Sequence, residues 1–261
     1  MGLFCARQGI TRRNVKGTMP ELFKTLRYYI KRPAAFLKAV FGTPRPSIGT
    51  MDYAEYWRKR GEFGFSDRYT LFSRLIEPGS SVLDIGCGEG SALKYLVENN
   101  GIKGEGLDIS GPAVEMALKK GIKATLADVS AAGFELAGKY DYIMISEVLE
   151  HIPRPEELVE KTRGHFTKGL IISIPNTGHY IARLRLLFGR FPVQWSLHPG
   201  EHLRFWTLKD FEDWTDWLGF KIESRNSNTG FFFIYKLLPG LFADNFVFLL
   251  KEKSGRRGNP A

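Results

Sequence analysis

The sequence predicts an α/β fold, in which helices cover both faces of a mostly parallel sheet, with a helical extension at the N-terminus. Between residues 81 and 175, short apolar runs rich in β-branched residues alternate with segments of helical periodicity. This alternation is typical of repeated β-α units, whose strands form parallel sheets buried on both faces. The first run also ends in a glycine-rich turn, "GCGEG" at 86–90, which lets the backbone approach a ligand closely.

The strand and helix segments follow one another in a regular order. The strand-like "SVLDIG" precedes the helical "SALKYLVENN", "GEGLDIS" precedes "GPAVEMALKKG", and "IKATLAD" precedes a loop. "YDYIMIS" then precedes "PEELVEKTRGH", and "GLIISIP" ends the series. Ligands of such sheets lie at the carboxyl ends of the strands, near the point where the strand order reverses.

The C-terminal part is expected to complete the sheet. "TLKDFEDWTDWLGF" predicts a helix that begins after an N-cap at Thr207 and ends at Gly219. A threonine oxygen accepts a hydrogen bond from the first turn, and glycine readily takes the left-handed conformation that ends a helix. "FKIESRN" and "NFVFLLKEK" predict two further strands.

The positive charge is concentrated before the sheet. The net charge is +9, and residues 1–50 contain ten Lys/Arg against one acid, Glu21. Residues 51–261 are therefore neutral, with 27 residues of each sign, so the basicity says little about a substrate. The sequence predicts three divisions: an extension (1–50), a domain (51–255) and a tail (256–261). The extension is basic, partly disordered and partly helical. Its helical spacing covers 21–41 and is broken at Pro33, and a linker follows over 42–50.

Composition excludes several classes of protein. The longest apolar runs, "FFFIY" and "FVFLL", are much shorter than the ~18–20 residues that span a bilayer. Charges interrupt residues 1–32, which argues against a cleavable signal peptide. Two cysteines, Cys5 and Cys87, are too few for a disulfide framework, which fits a reducing compartment. We therefore expect a cytoplasmic protein.

The spacing of the glycine turn favours one class of ligand over another. Gly86, Gly88 and Gly90 occupy every second position. A dinucleotide fingerprint has its third small residue one position later, where this chain has Ser91. Asp84 lies two residues before the first glycine, where its carboxylate can receive an ammonium group. The turn therefore favours a ligand with an amino group over a pyrophosphate.

Two further acids end the second and third strand segments. Asp108 lies 18 residues after Gly90, where an acid can accept hydrogen bonds from both ribose hydroxyls. Asp128, in "LADVS", could accept a hydrogen bond from the exocyclic amine of adenine, with the N–H of Val129 at a ring nitrogen. A helix N-cap at Asp108 or Ser110 and a solvated acid at Asp128 are the simpler alternatives.

The segments "VLDIGCGEG", "GLDIS", "LADVS" and "YDYIMISEVLEHI", in this order and spacing, resemble the class I S-adenosylmethionine-dependent methyltransferases over roughly residues 80–175. The resemblance implies a Rossmann-like seven-stranded sheet and S-adenosyl-L-methionine as the cofactor. It implies that the glycine turn surrounds the methionine part of the cofactor. The implied cofactor-binding residues are Asp84, Gly86, Cys87, Gly88, Gly90, Asp108, Ile109, Asp128, Val129 and Ser146.

The fourth strand is followed by "SEVLEHI", with Glu147, Glu150 and His151 at i, i+3 and i+4. One helical turn would point all three the same way, and carboxylates with an imidazole can bind a divalent metal or transfer protons. The pattern resembles the ubiquinone-biosynthesis O-methyltransferases and the small-RNA 2′-O-methyltransferases, in which E-x-x-E-H and a later histidine, here His202, hold an ion such as Mg²⁺. Alternatively, Glu147 lines the cofactor and His151 packs or acts as a base.

A second resemblance covers residues 173–226, from "SIPNTGHY" to "IESRN", which are similar to the MetW family of methionine biosynthesis. Chains of that family lack E-x-x-E-H, so the similarity fails at the acceptor site. Residues 177–206 are expected to form a lid. Within the lid, "IARLRLLFGRF" (181–191) is amphipathic and basic and, like 21–41, could make a peripheral contact with a membrane.

The reaction predicted is transfer of the cofactor methyl group to an oxygen of a small molecule. The catalytic candidates are Glu147, Glu150, His151 and His202, with Asn176 and His179 as second choices. Three alternatives stay open: a nucleotide-dependent oxidoreductase, which Ser91 disfavours; a MetW-like partner protein; and a nucleic-acid methyltransferase that uses the basic extension.

Overall fold

The computed structural model describes residues 33–43, 51–62, 64–192, 201–231 and 233–253. The predictions for residues 1–32, for most of the linker and for the tail lie outside these ranges, as does part of the predicted lid. None of the helices within these ranges is long and apolar enough to cross a membrane.

One sheet organises the molecule. Its strands are β1 (Ser81–Ile85), β2 (Lys103–Asp108), β3 (Lys123–Leu126), β4 (Tyr140–Ser146), β5 (Phe166–Pro175), β6 (Phe220–Asn226) and β7 (Asn245–Glu252). They lie in the order β3-β2-β1-β4-β5-β7-β6. The first five are parallel, and β7 runs antiparallel between β5 and β6. The predicted Rossmann-like, seven-stranded, mostly parallel sheet is confirmed.

Helices cover both faces of the sheet. They are α1 (Pro33–Phe41), α2 (Tyr53–Arg60), α3 (Asp67–Leu75), α4 (Ser91–Asn100), α5 (Gly111–Lys119), α6 (Pro155–Lys161), α7 (Tyr180–Leu187), α8 (Leu208–Trp217), and the short α9 (Ile234–Leu237) and α10 (Pro239–Phe242). Along β4, Ile143 and Ile145 join the core under α6 and α8, whereas Tyr142 and Met144 join the core under α3 and α4. Successive side chains of a strand point to opposite faces, which explains why the strands are apolar almost throughout.

The predicted caps of α8 are observed. The Thr207 hydroxyl accepts from the backbone N–H of Asp210, whose carboxylate accepts from Thr207 in return, so the first turn has a complete capping box. Gly219 follows the helix with φ +85°.

One predicted local conformation is wrong. The residues after β4 form a single 3₁₀ turn, Leu149–His151, rather than an α-helical turn that includes Glu147. Glu147 has φ +55°, which ends the strand and stops a helix from starting there, because an α-helix needs negative φ. The three polar side chains therefore do not share one helical face.

Strand order reverses between β1 and β4, which lie side by side while their following connections diverge. The carboxyl ends of these strands border the crevice in which open α/β sheets bind their ligands. The glycine turn follows β1 and the 3₁₀ turn follows β4, so that the two predicted motifs lie at the same edge of the sheet.

Candidate active site

The glycine turn is fastened to the end of β2. The backbone N–H groups of Gly86 and Cys87 both donate to the carbonyl oxygen of Leu107, at 2.7 and 3.0 Å. The N–H of Gly88 donates to Oδ2 of Asp108 at 2.8 Å, and the N–H of Ser110 donates to Oδ1 at 2.8 Å. Asp108 thus orders the turn itself, and its oxygens keep further acceptor capacity for a ligand.

Gly86 and Gly88 are required for conformation and for space. Their φ angles are +77° and +55°, in the left-handed region that side chains disfavour. A Cβ at Gly86 would lie 2.2 Å from a methyl group of Val148, and a Cβ at Gly88 would lie 2.6 Å from the Trp57 ring. The turn is therefore closely covered, by the residues after β4 on one side and by α2 on the other.

Asp84 is a buried carboxylate with no counter-charge among the described residues. Its side chain lies at the end of β1, it is 2% exposed, and its Oδ1 has no hydrogen-bond partner among them. Burial, and then the nearby Asp108 carboxylate, raise the pKa of Asp84 well above its usual value. A bound cation would reverse both effects, so Asp84 is suited to receive an ammonium group.

The other predicted cofactor residues surround this turn at different depths. Cys87 is buried, and burial together with Asp84 and Asp108 raises the pKa of its thiol, which keeps it protonated. Asp128 is exposed at the rim, where its Oδ1 accepts from the N–H and the hydroxyl of Ser130. Ile109 is half exposed, Val129 is partly buried, and the Ser146 hydroxyl lies 3.0 Å from that of Ser173.

Within the described residues, the 3₁₀ turn after β4 brings together three potential ligands, Glu150, His151 and His202, whose ligand atoms lie within 4.8 Å of one another. Glu150 is 1% exposed, and its Oε2 has no hydrogen-bond partner among those residues. Burial, and secondly Glu147, raise the pKa of Glu150 well above its usual value. Among the residues that the structure describes, Nδ1 of His202 also has no partner. Burial, and secondly His151, lower the pKa of His202 to about 4, so its ring is neutral.

The geometry of His151 defines its tautomer. Its Nδ1 lies 2.5 Å from the carbonyl oxygen of Glu201, which can only accept, so Nδ1 carries the proton. Nε2 lies 3.7 Å from Oε1 of Glu150. In the neutral ring, Nε2 therefore presents its lone pair to the site and can act as a base or a metal ligand.

Backbone hydrogen bonds bring His202 to this place. The N–H groups of Leu203 and Arg204 donate to the carbonyl oxygen of Glu150, at 2.7 and 3.0 Å. The rings of His151 and His202 then meet edge to face, with centroids 4.8 Å apart. Two residues remote in sequence are thus joined through the 3₁₀ turn.

Glu147 belongs to a different network from these three residues. Its Oε1 accepts from the Ser173 hydroxyl at 3.1 Å and lies 3.4 Å from Nη1 of Arg68, which also donates to Ser146 at 3.3 Å. A non-glycine residue with positive φ is strained by about 1–3 kcal/mol, and such strain occurs often at functional sites. The Glu147 side chain therefore contacts residues at the ends of β4 and β5 and does not join the group of Glu150, His151 and His202.

The second choices, Asn176 and His179, hold the loops of β5 and β7 together. The Asn176 amide donates to the carbonyl oxygens of Gly240 and Ala243. His179 accepts from the N–H of Ile181 at the start of α7, and its Nε2 lies 3.5 Å from Asp244. Burial lowers the pKa of His179 to about 4. None of these described contacts reaches Glu150 or His151.

Helix α2 supplies two residues that sequence reasoning missed. Trp57 covers Gly88, and the Tyr53 ring meets the His151 ring edge to face at 6.0 Å. Burial, and then Glu201, Glu150 and Asp108, raise the pKa of Tyr53 to about 12, so its phenol is neutral. Tyr53 therefore lies between the Asp108 side and the Glu150 side of the site.

The contact of Trp57 with Gly88 leads to a prediction. We expect Gly88→Ala to lower the free energy of unfolding by about 2 kcal/mol, because the residue must keep a left-handed conformation and displace the indole ring. In a Trp57→Ala background the same change should cost only about 1 kcal/mol, the conformational part. Urea unfolding of the unmodified protein, the two single variants and the double variant measures both values in a double-mutant cycle. Equal costs in the two backgrounds would show that the ring does not press on Gly88.

The chain matches a known protein family over most of its length. A family model described as "Methionine biosynthesis protein MetW" matches residues 66–250, more than two thirds of the chain. The chain belongs to the MetW family. The match extends well beyond the similarity noted over 173–226, from Ser66 to Leu250 in β7, and it includes Glu147, Glu150 and His151. The presence of E-x-x-E-H, which was expected to set this chain apart from MetW, therefore does not place it outside that family.

Individual relatives match the MetW chain over shorter or more distant stretches. The ubiquinone biosynthesis O-methyltransferase of Paraburkholderia xenovorans is 34% identical over 91 residues, which are 33% of this chain and 39% of the relative. The MetW chain thus matches less than half the length of this curated relative.

Solved structures share the fold of this MetW chain. An S-adenosylmethionine-dependent methyltransferase from Archaeoglobus fulgidus superimposes with a TM-score of 0.56 at 18% identity, over 77% of this chain and all of that one. A second, from Thiobacillus denitrificans in complex with S-adenosyl-L-homocysteine, superimposes with a TM-score of 0.54 at 13% identity, over 78% of this chain and all of that one. The MetW chain therefore has the fold of class I S-adenosylmethionine-dependent methyltransferases, as predicted.

Proposed function

We propose that this protein is an S-adenosyl-L-methionine-dependent methyltransferase whose acceptor is an oxygen atom of a phenolic, sugar or lipid-like small molecule. The observation that carries the proposal is the buried carboxylate of Asp84, beside Asp108 and the glycine turn, whose Oδ1 has no hydrogen-bond partner among the described residues. The amino group of the cofactor would supply the counter-charge that Asp84 lacks, and the ribose hydroxyls would donate to the remaining lone pairs of Asp108. We assign the adenine ring to Asp128 and Val129, at the rim beyond β3.

The acceptor is proposed to lie between this turn and His151. When bound, the cofactor would supply an electrophilic methyl group to the acceptor oxygen, and the neutral thioether would leave with the electron pair of the broken C–S bond. Because methyl transfer needs two aligned partners and little else, positioning supplies most of the acceleration.

The proton of the acceptor hydroxyl is proposed to pass to Nε2 of His151. Its Nδ1–H is already engaged by the Glu201 carbonyl oxygen, which holds the ring with Nε2 turned toward Glu150. The imidazolium that forms favours the ionised state of the Glu150 carboxyl group, because opposite charges attract strongly in a buried site.

A specific observation also supports a metal at this place. Buried polar atoms nearly always have partners, yet Oε2 of Glu150 and Nδ1 of His202 have none within the described part of the chain. As an alternative to His151 as the base, we propose that these two residues and Nε2 of His151 hold a divalent cation, which would leave no lone pair on that ring for the acceptor proton. Two imidazoles and one carboxylate favour Zn²⁺ or Mn²⁺ over the Mg²⁺ suggested by the sequence, which prefers oxygen ligands. When bound, the cation would lower the pKa of the acceptor hydroxyl.

The metal proposal predicts a defined response to chelation. We expect about one equivalent of Mn²⁺ or Zn²⁺ to bind the chelator-treated protein in calorimetry, and His202→Ala to abolish the binding. His165→Ala is the matched control, because His165 contacts the Gly138 carbonyl oxygen at the opposite end of β5. Glu150→Gln should reproduce the loss of activity caused by chelator. No metal binding, with turnover unaffected by chelator, would leave His151 as a base alone.

One experiment separates the proposed function from its alternatives. Calorimetric titration with S-adenosyl-L-methionine would be combined with transfer of a labelled methyl group to phenols, sugars and lipids. Binding without transfer to any acceptor would favour a MetW-like partner protein. Binding of a nicotinamide dinucleotide instead would indicate an oxidoreductase, and salt-sensitive transfer to RNA or DNA, lost on deletion of residues 1–50, would indicate a nucleic-acid methyltransferase.

A further inference from the structure

Helix α1 and helix α7 are joined into one unit by a buried arginine. The Arg185 guanidinium is 4% exposed. It donates to the carbonyl oxygens of Ala39, Val40 and Gly42, at 2.8, 3.1 and 3.1 Å, and to that of Phe191 at 2.8 Å. These are carbonyl groups at the C-terminal end of α1 and after α7, which lack partners within a helix. A cation is also favoured at a helix C-terminus.

The outer side of this unit is apolar and faces solvent. We call this surface the apolar rim: Phe36, Leu37 and Phe41 of α1, with Leu187, Phe188 and Phe191 at the end of α7. Each of these side chains is between 41% and 75% exposed. The rings of Phe41 and Phe188 lie 4.9 Å apart, so the two helices contribute to one surface. Exposed apolar side chains that are grouped on one surface often mark interaction sites.

The rim extends toward the acceptor side of the site. Phe191 packs edge to face against Phe205, with ring centroids 5.3 Å apart, and Phe205 lies 6.5 Å from the His202 ring. Helix α7 itself begins five residues after β5, at the carboxyl edge of the sheet. A partner bound at the rim would therefore lie beside the entrance to the proposed acceptor site.

Charge identifies the kind of partner. Residues 33–43 contain Lys38 and no acid, and residues 180–192 contain Arg183, Arg185 and Arg190 and no acid. The preceding residues, 1–32, contain eight Lys/Arg and only Glu21. A second copy of the chain would bring like charge to the same face. An anionic lipid surface offers the opposite charge together with an apolar layer for Phe and Leu side chains.

We propose that the apolar rim docks this protein on an anionic bilayer surface. The phenylalanine and leucine side chains of α1 and α7 insert at the level of the headgroups, and Lys38, Arg183 and Arg190 contact lipid phosphates. Arg185 is a positioning residue, because it holds α1 against α7 and does not face the lipid. The proposal rests on surface geometry and charge and does not depend on the proposed reaction.

Sedimentation with lipid vesicles tests the proposal. The full chain is mixed with vesicles of phosphatidylcholine alone or with about 30% phosphatidylglycerol. We expect binding to the anionic vesicles to be at least about tenfold tighter and to weaken as salt rises. Leu187→Glu should weaken that binding by about tenfold or more, because a carboxylate replaces an inserted side chain and is repelled by the lipid.

A matched control separates the rim from general charge attraction. Leu118→Glu introduces the same change on α5, at a leucine that is 54% exposed, and should bind vesicles as the unmodified protein does. Both leucines are exposed, so both variants should keep the thermal midpoint of unfolding. Equal vesicle binding by Leu187→Glu and Leu118→Glu would mean that the basic extension alone attracts lipid, which overturns the proposal. Failure of the unmodified protein to bind, or a dimer that Leu187→Glu dissociates, would overturn it as well.

Discussion

Asp108→Ala is expected to weaken S-adenosyl-L-methionine binding by about 100-fold or more. Asp108 is the charged acceptor at the end of β2, and each hydrogen bond to a charged group contributes about 1.5–3 kcal/mol. Two such bonds to ribose hydroxyls would account for a loss of this size. The side chain also accepts from the N–H groups of Gly88 and Ser110, so its removal loosens the glycine turn, where the methionine part of the cofactor is proposed to bind. Isothermal titration calorimetry measures the change directly.

Two further variants serve as controls for Asp108→Ala. Glu105→Ala removes an acid of the same strand whose partners are the exposed Lys123 and the Tyr140 hydroxyl, and it should leave the cofactor Kd unchanged. Asp108→Asn keeps one oxygen that can accept from Gly88, and it should bind more weakly than the unmodified protein but more tightly than Asp108→Ala. An Asp108→Ala protein that folds and binds the cofactor normally would refute the ribose assignment.

His151→Ala is expected to lower kcat by about 100-fold to 10,000-fold, the range for loss of a general base. The cofactor Kd should not change, because His151 lies on the acceptor side, where it contacts Glu150, Glu201 and Tyr53. Steady-state kinetics with the best acceptor, together with calorimetry for the cofactor, separate these two effects.

The control for this variant is again His165→Ala, which should retain kcat. Partial recovery of the His151→Ala protein by added imidazole would support proton transfer, since a free base can occupy the space of the missing ring. A kcat within about tenfold of the unmodified value would assign His151 to positioning, because loss of a general base costs more than that.

Much of the sheet could be predicted because its signals are local. Apolar runs of β-branched residues identify strands that are buried on both faces, and β4 and β6 lie where the sequence predicted them. The glycine turn could also be predicted from the sequence, because only glycine fits its positive φ angles and close contacts. The capping box of α8 likewise depends on residues three positions apart.

The acceptor side was less predictable because its geometry is set by contacts between distant segments. Helical periodicity grouped Glu147 with Glu150 and His151, but the positive φ of Glu147 turns its side chain to Arg68 and Ser173. No local sequence pattern predicts the positive φ of Glu147. In the sequence, nothing distinguishes Arg68 from other residues of a predicted helix. Its side chain contacts residues at the ends of β4 and β5 only because α3 packs beside them.

The sequence by itself determined the strand and helix segments, the glycine turn with its neighbouring acids, and the presence of E-x-x-E-H, because each depends on residues close together in the chain. Only the tertiary structure decided that His202 joins Glu150 and His151, through the N–H groups of Leu203 and Arg204. It alone brought Tyr53 and Trp57 over the site and joined α1 to α7 through Arg185. These contacts depend on backbone groups and packing between remote segments, which residue spacing does not encode.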